Sequence, residues 1–305
     1  MEKIYDIVVV GGGPAGLTAA LYALRNGKDV LVIEKSVFGG QIVNSPKVEN
    51  IPGFVSISGD EFGDLMLKQV KTQGGKFLFD EVTKIDSDNN ECTIYTDTQE
   101  EIKAKAVILA TGTKHRKLNL DNEDNFIGKQ IHFCAVCDGS FYKDKVVVMV
   151  GGGNSAFVEA NILADIVDKL IILQDLPHFT AEAKLQEQVL AKKNIETHLN
   201  SKVLKYIIED SKIVGINYLE NNEEKVVKCD GIFLAIGLVP DNKAFINLCD
   251  LDDRGYFRVN ESTITKTSNV FVAGDCRNKS LRQVATACSD GANAAIAACN
   301  YLNNK

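Results

Sequence analysis

The chain has 305 residues, of which 45% are hydrophobic and 25% are charged. These proportions are typical of a globular enzyme and exclude a disordered chain, and the length suits two domains of ordinary size. The 34 basic and 41 acidic residues give a net charge of −7 without a basic block, which argues against a nucleic acid or an anionic membrane as a partner.

The chain begins with a short polar stretch that runs straight into a strand-like apolar segment, so we expect no signal peptide. No apolar run approaches the length of a membrane span. The eight cysteines are scattered, which fits a reducing compartment with one dedicated redox pair better than a disulfide framework. We therefore expect a cytoplasmic protein.

The first predicted unit binds a dinucleotide. An apolar strand leads into the glycine-rich turn 11–16, a helix to about residue 25 and a second strand that ends in Glu34. Gly11 allows the tight turn, Gly13 lets the backbone approach a pyrophosphate, and Gly16 permits close packing of helix against strand. Glu34 occupies the position where a carboxylate accepts ribose hydroxyls. Because strand, helix and acid accompany the glycines, we predict a nucleotide site and not only a structural turn.

Turn signals and further elements follow this unit. They are Gly39-Gly40-Gln41, the loop 50–53, a helix near 62–72, strands near 76–82 and 92–96, and a buried strand 106–109 that ends in Ala110-Thr111-Gly112. The loop glycines could let backbone lie against a flat ring system. The small-residue turn at Gly112 predicts an exit from the first domain.

The chemistry is predicted at Cys134 and Cys137, whose CxxC spacing lets two thiols close and reopen a small disulfide ring. Such a pair lowers the pKa of one thiol, and the thiolate attacks a disulfide or a flavin. Asp138 is well placed to move the protons that each exchange step requires. Half of a zinc site is the alternative, but the other cysteines form no second pair at this spacing and only His132 lies nearby.

A second glycine-rich unit follows the CxxC. Strand 145–150, the turn Gly151-Gly152-Gly153, a helix to about residue 166 and strand 170–173 repeat the first unit in register. Gln174 occupies the acid position, Asp175 follows it, and no arginine is present to bind a 2′-phosphate. Asp175 is interpreted either as an acceptor for the ribose of an unphosphorylated cofactor or as a solvated turn residue.

The pattern in the last third of the sequence predicts that the chain returns to the first domain. A helix near 181–193 and further strands lead to a buried strand ending at Gly237, and a late strand from residue 269 ends in Gly274-Asp275. Arg282-Gln283 opens an alanine-rich helix to about residue 302, and a polar pair at a helix N-terminus can hydrogen-bond a heterocycle.

With these motifs in place, the chain resembles the low-molecular-weight thioredoxin reductases over nearly its whole length. The resemblance rests on the glycine turn 11–16 with Glu34, on Gly39-Gly40-Gln41, Asn50, Pro52-Gly53, Ala110-Thr111-Gly112, the sequence from Cys134 to Gly139, Gly237 with Pro240, Gly274-Asp275 and Arg282-Gln283. It implies an α/β fold of two doubly wound, Rossmann-like three-layer modules, the second inserted in the first. Residues 1–113 and 242–305 would bind FAD, and residues 114–241 would carry the CxxC and a degenerate NAD(P)-type site.

The resemblance also implies the roles of individual residues. Cys137 would be the thiol that faces the flavin, Cys134 the thiol that attacks the disulfide of thioredoxin or a thioredoxin-like protein, and Asp138 the acid/base residue of a homodimeric enzyme. The residues expected to bind FAD are Gly11, Gly13, Pro14, Ala15, Gly16, Glu34, Lys35, Gly40, Gln41, Asn50, Val82, Thr111, Gly112, Gly274, Asp275, Arg282, Gln283 and Val284.

The second nucleotide site departs from the family pattern. Members that use NADPH carry an arginine-rich stretch where this chain has Gln174, Asp175, Leu176 and Thr180. We therefore expect resemblance to the ferredoxin-dependent branch, with reduced ferredoxin as the electron donor. Since the net charge is −7, an acidic ferredoxin would need a local lysine patch.

Three other functions remain open from the sequence. They are an NADH- or NADPH-dependent thioredoxin reductase, a small-molecule dithiol oxidase on the same scaffold, and a redox-sensing flavin protein that does not turn over. Cys276 and Cys288 are interpreted as small buried hydrophobes. His132 is interpreted as a packing or hydrogen-bonding residue outside the catalytic set.

Overall fold

The structure is a computed structural model that describes residues 3–45, 48, 50–88, 90–98 and 101–304, without the side chains of residues 44, 136 and 137. The chain divides into two compact units. Unit 1 comprises Met1–Lys114 and Val239–Lys305, and unit 2 comprises His115–Leu238. Unit 2 is therefore an insertion within the sequence of unit 1.

The elements alternate in the order expected of α/β modules. The strands are β1 Ile4–Val10, β2 Val30–Glu34, β3 Lys76–Phe79, β4 Val82–Ser87, β5 Cys92–Thr96, β6 Glu101–Leu109, β7 Thr113–His115, β8 Ile131–His132, β9 Val146–Val150, β10 Lys169–Leu173, β11 Ile195–His198, β12 Ser201–Glu209, β13 Lys212–Glu220, β14 Glu223–Lys228, β15 Gly231–Leu234, β16 Leu238–Pro240 and β17 Val270–Val272. The helices are α1 Pro14–Arg25, α2 Gly59–Thr72, α3 Glu123–Phe126, α4 Ala135–Asp138, α5 Asn154–Leu163, α6 Ala183–Leu190 and α7 Val284–Asn303, with short 3-10 helices at Gly40–Asn44, Gly139–Tyr142 and Lys243–Phe245.

Unit 1 is built on a sheet in the order β3-β2-β1-β6-β5-β4, with β17 also paired to β6. The β1, β2, β3, β6 and β17 pairings are parallel, and β4 and β5 are added antiparallel. Since side chains alternate along a strand, Ile7 and Val9 of β1 pack with α1 and α7, whereas Val8 and Val10 pack on the opposite face. Strands β4 and β5 and part of the chain near Phe257 cover that second face.

Unit 2 repeats this plan with a parallel sheet in the order β11-β10-β9-β15-β8. Val147 and Met149 of β9 pack with α5, and Val148 and Val150 pack with the antiparallel sheet β12-β13-β14. The prediction of an α/β fold with two Rossmann-like modules is confirmed. In each module, antiparallel strands pack on the sheet face opposite the helices: β4 and β5 in unit 1, and β12-β13-β14 in unit 2. The sequence pattern did not show whether strands or helices would cover this face.

Several element boundaries differ from those expected. The strand expected near 76–82 is two strands, because Asp80 interrupts it by accepting hydrogen bonds from the Glu81 N–H and the Thr98 hydroxyl. Helix α5 ends at Leu163, since the N–H groups of Ile166 and Val167 both turn back to the Leu163 carbonyl. Among the described residues, no helix combines the length and apolar character needed to cross a membrane.

Candidate active site

The glycine turn between β1 and α1 leaves backbone open in the way that the sequence predicts. Gly11 has φ +108°, and a Cβ there would lie 2.2 Å from the Ala110 carbonyl oxygen. A Cβ on Gly40, which has φ +68°, would lie 2.8 Å from Gly13 Cα. The turn and the start of the 3-10 helix at Gly40 therefore face one another without side chains between them.

Glu34 lies at the end of β2 and is buried against this turn. Its Oε2 accepts the Gly12 N–H at 2.6 Å, and its Oε1 accepts the Ser36 N–H at 2.7 Å. An ionised carboxylate accepts about four hydrogen bonds, so both oxygens retain capacity for ligand hydroxyls. Lys35 is ion-paired with Glu81 and Asp241. Burial lowers the pKa of Lys35, but hydrogen bonds to these two carboxylates raise it overall.

The N-terminus of α7 gathers several of the expected ligand-binding residues. Asn50 Nδ2 donates to Gln283 Oε1 at 2.9 Å, next to Val284 at the first position of the helix. The Arg282 guanidinium lies 4.1 Å from the centre of the Tyr256 ring. Its Nε donates to the Asp275 carbonyl at 3.4 Å, which brings Arg282 to the loop that follows β17.

Asp275 carries a buried carboxylate oxygen. Its Oδ1 lies 2.9 Å from Lys279 Nζ as an ion pair, yet it makes no aligned hydrogen bond with any described group. A buried oxygen without a hydrogen bond is unfavourable, by about 1–3 kcal/mol. It is therefore a candidate acceptor for a ligand hydroxyl.

The remaining expected residues lie in the same unit. Pro14 is the first residue of α1, and a Cβ on Gly274 would lie 2.7 Å from Ala15 Cβ. Gln41 Nε2 donates to the Thr113 carbonyl, and the Thr111 hydroxyl donates to Asn242 Oδ1 at 3.0 Å. Gly16 lies within α1, Gly112 has φ +66° in the turn after β6, and Val82 begins β4 with its side chain in the core.

A buried ion-pair network that the sequence did not reveal connects the loop after β17 to α7. Arg277 is 3% exposed and Asp290 is 2% exposed. Arg277 donates from Nε to Asp290 Oδ2 at 2.9 Å and from Nη2 to Oδ1 at 2.8 Å. Gly274 N–H and Lys279 Nζ also donate to Oδ2, each at 3.1 Å. This bidentate pair fixes the segment that carries Asp275.

The CxxC lies in unit 2, with Cys134 directly before α4 and Cys137 within it. Cys134 is disulfide-bonded, whereas the six described cysteines outside the CxxC form no disulfide. The side chain of Cys137 lies outside the part of the chain that the structure describes. The Asp138 N–H donates to the Cys134 carbonyl at 3.1 Å, which closes the single turn of α4.

Glu159 on α5 is a neighbour of the CxxC that sequence reasoning missed. Its Oε2 accepts the Ala135 N–H at the start of α4. Burial raises the pKa of Glu159 and the charge of Asp138 adds to the effect, against a smaller lowering by the Ala135 N–H. No sequence motif connects Glu159 with the CxxC, because the contact depends on how α5 packs against α4.

Of the six described cysteines outside the CxxC, five are buried and Cys288 is half-buried. Burial raises the pKa of Cys276 to about 11 and that of Cys229 to about 12. Burial also raises the pKa of Cys288. These groups are therefore protonated at neutral pH and are poor nucleophiles, which supports the interpretation of Cys276 and Cys288 as small hydrophobes.

His132 lies at the end of β8, two residues before Cys134. Its Nδ1 is 3.0 Å from Asp138 Oδ2, and its Nε2 is 2.9 Å from the Tyr142 hydroxyl. The sequence placed His132 outside the catalytic set, but the structure places it against the predicted acid/base residue. Proximity to Cys134 in the sequence was the one signal that could have suggested this contact.

The second glycine turn keeps its backbone shape. Gly151 has φ +127°, and a Cβ there would lie 2.4 Å from the Ala235 carbonyl oxygen. Gln174 is buried over this turn, with its Cδ 2.7 Å from the position of a Cβ on Gly152. Asp175, Leu176 and Thr180 are exposed.

An acidic residue lies where α5 begins. Asn154 Nδ2 donates to Glu182 Oε1 at 3.1 Å, and Asn154 Oδ1 accepts the Glu182 N–H at 2.7 Å. The N-terminus of the helix after a glycine turn is where a nucleotide phosphate binds. The Glu182 carboxylate therefore adds negative charge where a phosphate would need positive charge.

Unit 2 also carries a groove of about 1090 Å³, which we call the lysine groove. Its walls include Lys129, Lys145, Lys212, Lys228, Phe141 and Asp230. None of these lysines forms an ion pair with a described carboxylate. Phe141 is 67% exposed. The positive charge of these lysines would complement the surface of an acidic protein.

Comparison with known proteins identifies the family. The family model described as pyridine nucleotide-disulphide oxidoreductase matches residues 5–291. The chain belongs to the pyridine nucleotide-disulphide oxidoreductase family. Within this family, it is 39% identical over 303 residues to a thioredoxin reductase of Listeria monocytogenes, covering 99% of this chain and 95% of that protein. It is 36% identical over 303 residues to the thioredoxin reductase of Bacillus subtilis, covering 99% and 96%.

Solved structures give the same result. The crystal structure of Lactococcus lactis thioredoxin reductase is similar with a TM-score of 0.90 at 32% identity, covering 99% of this chain and 100% of that one. The crystal structure of T. acidophilum thioredoxin reductase is similar with a TM-score of 0.87 at 33% identity, and 99% of each chain is covered. This member of the family is thus an FAD-dependent disulfide oxidoreductase.

Unit 1 fits FAD on three observations. The glycine turn leaves open backbone at the N-terminus of α1 for a pyrophosphate, Glu34 offers a fixed carboxylate to a ribose, and Asp275 offers a buried oxygen that lacks a hydrogen bond. Asn50, Gln283 and Arg282 supply polar groups near Asp275. The expected cofactor residues are therefore compatible with FAD, and their assignment stays a prediction.

Gly40→Ala tests this fit. We expect it to weaken FAD retention by at least about tenfold, since a methyl group 2.8 Å from Gly13 Cα must push the two backbones apart. Gly27→Ala is a matched control, because Gly27 also has positive φ (+73°) but a Cβ there meets nothing within 4 Å. The measurement is the FAD dissociation constant from flavin absorbance after ultrafiltration. Equal retention by the two variants would show that the close approach is unimportant.

Proposed function

We propose that this protein reduces thioredoxin or a thioredoxin-like protein through FAD in unit 1 and the Cys134/Cys137 disulfide in unit 2. The observation that carries the proposal is the disulfide-bonded Cys134 directly before a helical turn that ends in Asp138. The relatives named as thioredoxin reductases support this choice of substrate.

The protein's own groups would divide the work as follows. FAD, when bound, supplies the electron pair that opens the disulfide. Cys134 would then attack the partner's disulfide, and Cys137 would displace the reduced partner by re-forming the bond to Cys134. Each exchange leaves a thiolate, and Asp138 would supply its proton. Glu159 would orient α4 through the Ala135 N–H.

We assign reduced ferredoxin as the electron donor. Two features of unit 2 support the assignment. Gln174 and Asp175 stand where a phosphorylated nicotinamide needs cationic side chains, and Glu182 adds a carboxylate at the start of α5. Losing each charge-assisted hydrogen bond costs about 1.5–3 kcal/mol, so NADPH should bind weakly.

A nicotinamide donor is the second candidate, and one observation favours it. Gly151 keeps the positive φ and the close backbone contact that a dinucleotide turn requires. In that case Asp175 would accept the ribose hydroxyls of NADH.

An anaerobic assay distinguishes the donors. The holoenzyme is mixed separately with reduced ferredoxin, NADH and NADPH, and flavin bleaching and thioredoxin thiol production are followed. We expect rapid bleaching and thiol production with ferredoxin and slow bleaching with NADPH. Rapid turnover with a nicotinamide and none with ferredoxin would overturn the donor assignment, and peroxide production from a small dithiol without thioredoxin turnover would favour a dithiol oxidase.

The lysine groove is proposed as the docking surface for the acidic disulfide partner, because the 3-10 helix that carries Phe141 directly follows α4. We expect Lys212→Glu with Lys228→Glu to raise KM for thioredoxin about tenfold or more at low salt, with kcat unchanged. Lys202→Glu on β12 is the matched control outside the groove. Equal KM for both variants would exclude this surface.

Two further predictions belong to this proposal. We expect a cytoplasmic protein, because cysteines that form no disulfide suit the reducing conditions of the cytoplasm. A homodimer is expected from the family resemblance, and sedimentation of the purified holoenzyme measures it.

A further inference from the structure

His132 is a buried polar side chain that the proposed mechanism leaves unused. It is 4% exposed and is paired in register with Phe233 of β15. Its ring stacks on the Phe233 ring at 5.2 Å and meets the Tyr142 ring edge-on at 5.4 Å. These contacts fix the plane of the imidazole, so its two nitrogens point in fixed directions.

The two nitrogens of His132 reach two different titratable groups. Nε2 is 2.9 Å from the Tyr142 hydroxyl, which is also 3.3 Å from the Lys129 carbonyl oxygen. Nδ1 is buried and makes no aligned hydrogen bond with a described group, but Asp138 Oδ2 lies 3.0 Å away. Since a buried nitrogen needs a partner, a small rotation of the Asp138 carboxylate would satisfy it.

We infer that His132 is a positioning residue for Asp138 and that the imidazole changes tautomer as Asp138 gains and loses its proton. The inference rests on the proposed disulfide reduction, in which Asp138 is the proton donor. With Asp138 ionised, Nδ1–H donates to Oδ2 and Nε2 accepts the Tyr142 hydroxyl. With Asp138 protonated, its O–H donates to Nδ1, Nε2–H donates to the Tyr142 oxygen, and the Tyr142 hydroxyl turns to the Lys129 carbonyl.

These two arrangements differ by one proton. Asp138 gains it from solvent, since its side chain is 31% exposed, and gives it to the thiolate that each exchange step releases. In both arrangements the imidazole carries one ring proton, on Nδ1 in the first and on Nε2 in the second. Both ring nitrogens of His132 therefore have a hydrogen-bond partner in either protonation state of Asp138.

The surroundings keep Tyr142 a neutral hydroxyl. Burial raises the pKa of Tyr142 to about 12, and the negative charges of Asp138 and Asp230 contribute in the same direction. The other charged groups packed here are Glu159 on α5, near Asp138, and Lys145, which lies 5.5 Å from the centre of the Tyr142 ring. A neutral phenol can donate to either acceptor, which the tautomer change requires.

The first experiment reads the tautomer without using activity. The holoenzyme labelled with ¹⁵N-histidine is titrated with acid, and the His132 ring signals are identified by their loss in His132→Phe. We expect Nδ1 to carry the proton at neutral pH and Nε2 to carry it after Asp138 is protonated, and we expect Asp138→Asn to show no such change. A His132 ring that keeps one tautomer throughout, or that titrates identically in Asp138→Asn, would overturn the inference.

The second experiment uses the pH profile of thioredoxin reduction. His132→Phe keeps an aromatic ring between Phe233 and Tyr142 but removes both nitrogens, so the ionised Asp138 carboxylate loses a hydrogen-bond donor. We expect a profile shifted to higher pH and a kcat about tenfold lower, a smaller loss than the roughly 10²–10⁴-fold cost of removing an acid/base group. His132→Gln, which keeps an amide donor, should restore most of the wild-type profile.

The controls separate the two proposals. In the Asp138→Asn background, His132→Phe should cause no further change in kcat, since its effect passes through Asp138. An additive loss would mean that His132 only supports packing. A holoenzyme that shows the tautomer change but does not reduce thioredoxin would refute the proposed substrate and leave this inference intact.

Discussion

Cys134→Ser is expected to reduce thioredoxin turnover to below about 0.1% of wild type, because serine cannot form the disulfide and its hydroxyl is a weak nucleophile at neutral pH. The flavin content should be unchanged, since the expected FAD residues all lie in unit 1 and Cys134 lies in unit 2. Turnover is measured by thiol production under anaerobic conditions with the assigned donor.

Cys299→Ala is the matched control for this substitution. Cys299 is free and buried in α7, and burial raises the pKa of its thiol, so it takes no part in exchange. We expect its turnover per bound flavin to equal that of wild type. Normal turnover by Cys134→Ser would remove the basis for a disulfide mechanism, and a comparable loss in both variants would indicate a folding defect.

Arg277→Ala is expected to give the largest loss of stability. Removing the guanidinium leaves the Asp290 carboxylate buried with Lys279 as its only cationic partner among the described residues. Breaking a buried ion pair in this way costs about 3–5 kcal/mol of unfolding free energy. The measurement is the urea concentration at the midpoint of unfolding of unit 1, monitored by flavin release and by circular dichroism.

Arg258→Ala is the control, because the ion pair of Arg258 with Asp253 is on the surface and separated by 3.5 Å. We expect little change in its midpoint. If Arg277→Ala unfolds at the same urea concentration as Arg258→Ala, the buried network does not stabilise unit 1.

The same network predicts how the free energy of unfolding decreases at low pH. Burial raises the pKa of Asp290, but the hydrogen bonds and charges of Arg277 and Lys279 lower it overall from the ordinary value of 3.8. A carboxyl with a lowered folded-state pKa stabilises the fold above its unfolded pKa. That contribution is lost as pH falls below 3.8 through the folded-state pKa, and the loss should be absent in Asp290→Asn.

Local features of unit 1 could be predicted from the sequence because their geometry follows from short spacing. The turn at Gly11 requires glycine for steric reasons that are visible in the sequence, and the end of β2 places Glu34 beside it. The internal repeat likewise predicted a second module. The break at Asp80 was missed because its cause is a hydrogen bond from Thr98, which no strand pattern reveals.

The contacts that depend on tertiary packing could not be predicted. Arg277 and Asp290 are both charged, and a sequence pattern places such residues on the surface unless their pairing is known. His132 reaches Asp138 only because β8 pairs with β15 and aligns the ring with Phe233. The lysine groove is basic although the whole chain is acidic, since net charge does not reveal how charges are distributed.

An anaerobic reductive titration with dithionite tests the central claim most directly. Wild-type holoenzyme should take up one more electron pair per flavin than Cys134→Ser, and free thiols should appear together with that pair. Equal uptake by the two proteins would contradict the account, because the disulfide of Cys134 would then not exchange electrons with the flavin.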